Sequence, residues 1–224
     1  MTAYVINPPV ETLLPVEGGG QFPVRRLYCV GRNYADHARE MGADPDREAP
    51  FFFSKPRDAV TSRSDVAYPP ATEDLHHEVE LVLALGAGGA DLSPERAKMM
   101  IYGAAVGVDL TRRDMQSVAK KNGRPWDASK GFDQSAPIGL IRPGHSPSEG
   151  SIALTVNGET RQSGDLAQMI WSSAEVISHL SSLFRLEPGD LIFTGTPAGV
   201  GPVVRGDQIE ASITDLPPLR FTLV

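Results

Sequence analysis

Two carboxylates, Glu78 and Glu80, sit two residues apart in the stretch DLHHEVELVLALG, residues 74–86, which otherwise reads as an apolar strand. Residues i and i+2 of a strand share a face, so the pair projects to one side while Val79 and the neighbouring leucines serve the other. Two such charges in a core-bound strand repel, raise each other's pKa and cost stability unless a metal cation, an Arg or a Lys neutralises them. Oxygen ligands of this kind suit Mg²⁺, Mn²⁺ or Ca²⁺ better than zinc, and Asp109, at the end of the apolar run IYGAAVGVD, is a third candidate. An isolated E-x-E also describes an edge strand whose glutamates face water, so the motif alone leaves both readings open. His37 and Glu40, three apart in NYADHAREMG, fall on one face of a helix, where a carboxylate can orient an imidazole and raise its basicity. That arrangement suits a general base, although an exposed amphipathic helix can carry the same pair. His76 and His77 adjoin Glu78 but are consecutive, so at most one can enter a site on its face. Lys130, after DAS, fits either a surface ion pair or a cation at a site. The glycine-rich TGTPAGVG is a tight turn or a backbone that approaches an anionic ligand.

The elements that must position these residues follow from the pattern. RRLYCVGRNY reads as a strand running into a Gly turn, and YADHAREMG as a short helix closed by Gly42 and followed by the polar loop DPDREAP. PFFFSKP is an aromatic strand cut off by Pro56. Ser93 and Pro94 start a helix, and TRRDMQSVAKKNG is another, with basic residues and Gly at its end. The second half is mostly strand, with an Asn-Gly hairpin signal in SIALTVNGETRQSG, and MIWSSAEVISHLSSLF carries helical spacing up to the EPGD turn.

Composition bounds the function. The 224 residues carry 28 Asp and Glu against 21 Lys and Arg, a formal charge of −7, which argues against nucleic acid or anionic lipid as partner. No window reaches a membrane span and the N-terminus lacks signal-peptide character, so a cytoplasmic protein is expected. The single cysteine, Cys29, excludes an internal disulfide and reads as a small buried hydrophobe.

In this order, YCVGRNYADHAREMG, FFFSKP, HHEVELVLALG, GVDLTRRDMQ, GRPWDASKGFDQSAPIG and LIFTGTPAGVG resemble the fumarylacetoacetate hydrolase family, nearest to its single-domain bacterial fumarylpyruvate and acylpyruvate hydrolases. The resemblance implies an α+β, mainly β fold, a distorted β-roll with a few flanking helices, over residues 25–224 behind an N-terminal extension, 1–24. It also implies Mg²⁺ or Mn²⁺ on Glu78, Glu80 and Asp109, a water-activating dyad of His37 and Glu40, and Lys130 supporting developing negative charge. Arg32, Lys55, Arg113, Gln116 and Thr196 are similar to substrate-contacting positions. A homodimer acting on a small 2,4-dioxo acid in aromatic catabolism is expected, with carbon-carbon hydrolysis as the reaction. The same grip on a 2-oxo acid would also serve an oxaloacetate decarboxylase or a dioxo-acid isomerase. A fumaryl substrate carries a second carboxylate that needs a cation, for which Arg32, Lys55, Arg113 and Lys130 are the candidates.

Overall fold

The computed structural model describes residues 4–40 and 49–224, which form a mainly β fold with helices at its margins. Six strands make the central sheet, in the order Arg142–Pro143, Ile101–Val108, Val79–Leu85, Leu191–Phe193, Leu27–Gly31, Phe51–Lys55. Strand Val79–Leu85 is buried along its whole length and lies in the interior of this sheet, which excludes the water-facing edge-strand reading of the glutamate pair. Its odd-numbered residues Val79, Leu81, Leu83 and Leu85 pack with Ile152, Leu154, Ile209, Ile213 and Phe221 of a five-stranded sheet. Val82 and Ala84 pack on the opposite side with Leu27, Cys29, Phe193 and Ile138. Each of these leucines, once buried, contributes about 1.5–3 kcal/mol, which is what allows one end of the same strand to carry carboxylates.

The stretch expected as one strand is broken. Leu75–His77 belongs to a three-stranded sheet with Thr111–Arg112 and Gly201–Val203, and the chain passes into the central sheet at Glu78. Glu78 still joins the neighbouring strand through its carbonyl, which accepts from Asp109 N at 2.8 Å.

Helix α1 spans Ala35–Glu40; the expected close at Gly42 and the loop through residue 48 lie outside the described residues. Helix α2, Pro94–Lys98, begins at the Ser93 cap, and α3, Arg113–Lys121, ends near Gly123 in the left-handed region. Helix α4 is the single turn Asp127–Lys130. The last helix, α5, spans Ser173–Leu183 and starts later than the spacing from Met169 suggests. Ser172 and Glu175 form a capping box that satisfies the first backbone donors. Just before it, Ile170 N donates to Asn33 O at 2.8 Å, which holds that segment extended. The Asn-Gly hairpin joins Ser151–Val156 to Glu159–Asp165, with Asn157 at φ 53° and Gly158 at φ 81°. Residues 13–24 are not peripheral: Leu14, Val16, Phe22 and Val24 are buried in the cluster that holds Leu27 and Cys29.

Candidate active site

Strand register brings the three carboxylates together. Val79 pairs with Val108 and Glu80 with Gly107 in antiparallel register, so Asp109, the residue after its strand, arrives beside Glu78 and Glu80. Leu191–Phe193 lies antiparallel to Val79–Leu85 and parallel to Leu27–Gly31, which directs the loop from Thr194 past Glu80 on one side and Asn33 on the other. Gly195 N donates to Glu80 Oε2 at 2.5 Å. Only glycine serves there: φ is +96°, and a Cβ would stand 2.7 Å from that of Asn33. Asn33 is itself saturated, donating to Trp171 O and Thr194 O at 2.9 and 2.8 Å and accepting from Trp171 N at 2.7 Å.

Ligand atoms of Glu78, Glu80 and Asp109 lie within 4.8 Å of one another, and all three residues are buried. Lys130 Nζ donates to Glu78 Oε2 at 2.8 Å, to Asp109 Oδ2 at 2.7 Å and to Thr111 Oγ1 at 2.6 Å, which commits its three N–H groups. Burial opposes its charge, but Asp109 and Glu78 outweigh burial and hold the ammonium above its ordinary range. Arg113 Nη2 donates to Glu78 Oε1. Burial likewise works to raise the Glu78 pKa, but Lys130, Arg113 and His37 prevail and hold it below the carboxylate range. Glu80 has no cation bonded to it among the described residues: burial first, then Asp109 and Glu78, push it well above that range against the weaker pull of Lys130. Lys55 Nζ lies 2.8 Å from Asp109 Oδ1, yet that buried oxygen accepts no aligned hydrogen bond. A carboxylate driven toward neutrality by burial and two neighbouring carboxylates is what a divalent cation on this donor set would settle, so the residues fit a metal.

The pocket above these carboxylates is lined by His37, Arg32, Phe51, Phe53, Trp126 and Thr196 among others. His37 Nδ1 is 3.4 Å from Glu40 Oε2, and Gly199 N donates to the Glu40 carboxylate at 3.2 and 3.3 Å. His37 is buried, which lowers its pKa against the opposing influence of Glu78 and Glu40. Arg113 and Gln116 line the pocket from α3, linked by a 2.6 Å bond from Arg113 Nη1 to Gln116 Oε1. Arg32 holds a left-handed backbone, φ 58°, at the end of its strand. Thr196 Oγ1 accepts from Gln162 Nε2 at 2.8 Å. Lys55 stands apart from the other named residues: it is buried behind Asp109, donates to Leu110 O and Ser135 O at 3.2 and 3.0 Å and to Lys130 O, and does not line the pocket. His76 and His77 also stay outside it. His77 is bonded to Gln162 at 2.9 Å, and His76 to Asp74 at 2.9 Å and Arg113 at 3.3 Å.

Sequence reasoning passed over Lys120, Phe51 and Trp126. Lys120 had a signal: Arg113, Gln116 and Lys120 are spaced i, i+3, i+7, one face of a helix, and all three line the pocket. Gln162, which clamps His77, Val79 N, Thr196 and Pro197 O together, had none, since its partners are distant in the chain.

Known proteins resemble this chain in sequence and fold. A crystal structure described as fumarylpyruvate hydrolase from Pseudomonas aeruginosa in complex with Mn²⁺ and pyruvate is 50% identical, superposes with a TM-score of 0.96 and covers 99% of each chain. A fumarylpyruvate hydrolase of a Ralstonia species is 45% identical over 82% of this chain and 98% of its own. An oxaloacetate tautomerase of Escherichia coli K12 is 40% identical over 84% and 88%. The profile of the fumarylacetoacetate (FAA) hydrolase C-terminal domain matches residues 26–224, and with these likenesses it places the chain in the fumarylacetoacetate hydrolase family.

Proposed function

We propose that this chain is a divalent-metal-dependent hydrolase that cleaves a carbon-carbon bond in a 2,4-dioxo acid, with fumarylpyruvate as the preferred substrate and fumarate and pyruvate as products. The observation that carries the reading is a single pocket lined by both the three buried carboxylates and His37, itself paired with Glu40. A decarboxylase needs the first of these features but no attacking water. Glu78, Glu80 and Asp109 would hold the ion, which when bound polarises the 2-oxo acid end of the substrate and stabilises negative charge there. Mg²⁺ or Mn²⁺ fits these hard donors.

Glu40 takes the Nδ1 side of His37, which lines the pocket, and so leaves Nε2 as the basic atom. His37 removes a proton from water, and the hydroxide attacks the distal carbonyl carbon of the substrate. As the tetrahedral oxyanion collapses, the bond between that carbon and the methylene breaks, and its electron pair leaves as the enolate of pyruvate. The imidazolium of His37 holds the proton that the enolate requires. Lys130 and Arg113 keep Glu78 charged and aligned and add positive potential at the site, while the amide donors of Gln116 have no protein partner among the described residues. The same reading makes residues 25–224 the catalytic domain behind the 1–24 extension, and takes the protein as a cytoplasmic homodimer in aromatic catabolism. Among the described residues no helix is long and apolar enough to cross a membrane.

The test is a spectrophotometric assay of fumarylpyruvate, acetylpyruvate and oxaloacetate with Mg²⁺ or Mn²⁺, and again with EDTA. Loss of the fumarylpyruvate absorbance should be fastest, slower on acetylpyruvate and abolished by EDTA. Pyruvate released from oxaloacetate alone would replace the reading with a decarboxylase, and interconversion of oxaloacetate enol and keto forms without cleavage of either acylpyruvate would replace it with a tautomerase.

A further inference from the structure

The hydrolase reading places one end of the substrate at the buried carboxylates and leaves open what meets the far end of its acyl group. Of the four cations named from the sequence, three are engaged. Lys130 and Arg113 are bonded to Glu78, and Lys55 lies against Asp109 behind the pocket. Arg32 has no carboxylate partner among the described residues. Lys120, one turn beyond Gln116 on α3, has none either, and both cations line the pocket.

Their setting is built from aromatic rings. Phe51 and Trp126 meet edge to face at 5.6 Å, Arg32 Cζ lies 5.6 Å from the Phe51 centroid, and Lys120 Nζ lies 5.3 Å from that of Trp126. The Phe51 ring occupies the space a side chain on Gly31 would fill, since a Cβ there would fall 2.0 Å from it. The floor of the pocket is therefore buried and acidic, and its rim carries two exposed cations on an aromatic shelf. Partial burial of its ammonium end, then the charges of Arg113 and Arg32, push the Lys120 pKa down to about 8, as expected of a cation among cations. In a chain of net charge −7, such a rim concentrates anions locally.

We propose, resting on the hydrolase reading for the reaction itself, that Arg32 and Lys120 on the Phe51–Trp126 shelf form the subsite for a second carboxylate on the acyl arm, and that Lys120 sets the preference for dicarboxylic acylpyruvates over those with a neutral acyl group. The flat rings suit a planar unsaturated chain between the two ends, and the cations take its terminal carboxylate by charge-assisted hydrogen bonds.

Lys120→Met keeps the stem over Trp126 and removes the charge, and Lys120→Arg keeps the charge. In the metal-loaded enzyme, Lys120→Met should raise KM for fumarylpyruvate roughly 10- to 100-fold with kcat little changed, leave acetylpyruvate kinetics within about twofold, and be largely rescued by Lys120→Arg. Binding is read separately by calorimetry with fumarate and with crotonate, which lacks the second carboxylate: Lys120→Met should weaken fumarate and leave crotonate unchanged. Equal losses on both acylpyruvates, or an unchanged fumarate affinity, would overturn the subsite. If the wild type cleaved neither acylpyruvate, the hydrolase reading would fail, and the fumarate and crotonate affinities would still decide for or against the subsite.

Discussion

At the scale of single residues, the site rests on unequal treatment of equal groups. Glu78 and Glu80 are both buried carboxylates, yet the former has Lys130 and Arg113 bonded to it and the latter, among the described residues, the Gly195 amide alone, so burial wins at Glu80 and loses at Glu78. In the proposed mechanism His37 is the group whose titration governs the reaction. A base must be neutral, and burial pulls its pKa below the usual imidazole value of about 6.5. Activity should therefore persist as pH falls past that value, with the acid limb of kcat/KM below it. Glu40 works in the opposite sense, so Glu40→Gln should move the limb lower still. His37→Ala should cost about 10²- to 10⁴-fold in kcat while substrate affinity, read by calorimetry, survives. A limb that stayed in place in Glu40→Gln, or near-normal hydrolysis by His37→Ala, would remove His37 from the mechanism.

At the scale of elements, the loop after Leu191–Phe193 fixes the geometry of the carboxylates proposed to bind the metal. It touches Glu80 through Gly195 N and Asn33 through close backbone approach, so it ties two distant strands to one carboxylate. Gly195→Ala must adopt φ +96° with a Cβ and push against Asn33. The expected cost is about 1–3 kcal/mol in urea unfolding, with a loss of metal affinity larger than that stability change explains. Gly123→Ala, also at positive φ but with nothing within 4 Å, serves as the control and should destabilise without weakening metal binding.

At the scale of the whole molecule, three buried carboxylates beside largely buried strands are a stability cost that a bound cation would offset. Saturating Mn²⁺ at about 100 times its Kd should add about 2.7 kcal/mol, and EDTA should remove it. For a chain of this size that is a Tm rise of about 2–4 °C per kcal/mol, seen by calorimetry. Glu80→Gln should fold with nearly wild-type Tm in EDTA, because the amide resembles the protonated acid in shape, and should lose the Mn²⁺-dependent rise. A full Mn²⁺ shift in Glu80→Gln would exclude Glu80 as a ligand.

The sequence by itself determined what depends on neighbours along the chain. Period-two spacing put Glu78 and Glu80 on one face, i,i+3 spacing put His37 by Glu40, and Asn157-Gly158 set the hairpin. The order of motifs also carried the family. Tertiary structure decided what depends on register and burial. Nothing local says that Val79 pairs with Val108, the pairing that delivers Asp109 to the glutamates. Nor does Lys55 announce that it is buried against Asp109, whereas Lys120, outwardly a solvent lysine, stands over Trp126 at the pocket rim. A charged side chain has the same composition wherever it lies, and only the groups packed around it in three dimensions decide whether its charge is spent inside the fold or left for a ligand.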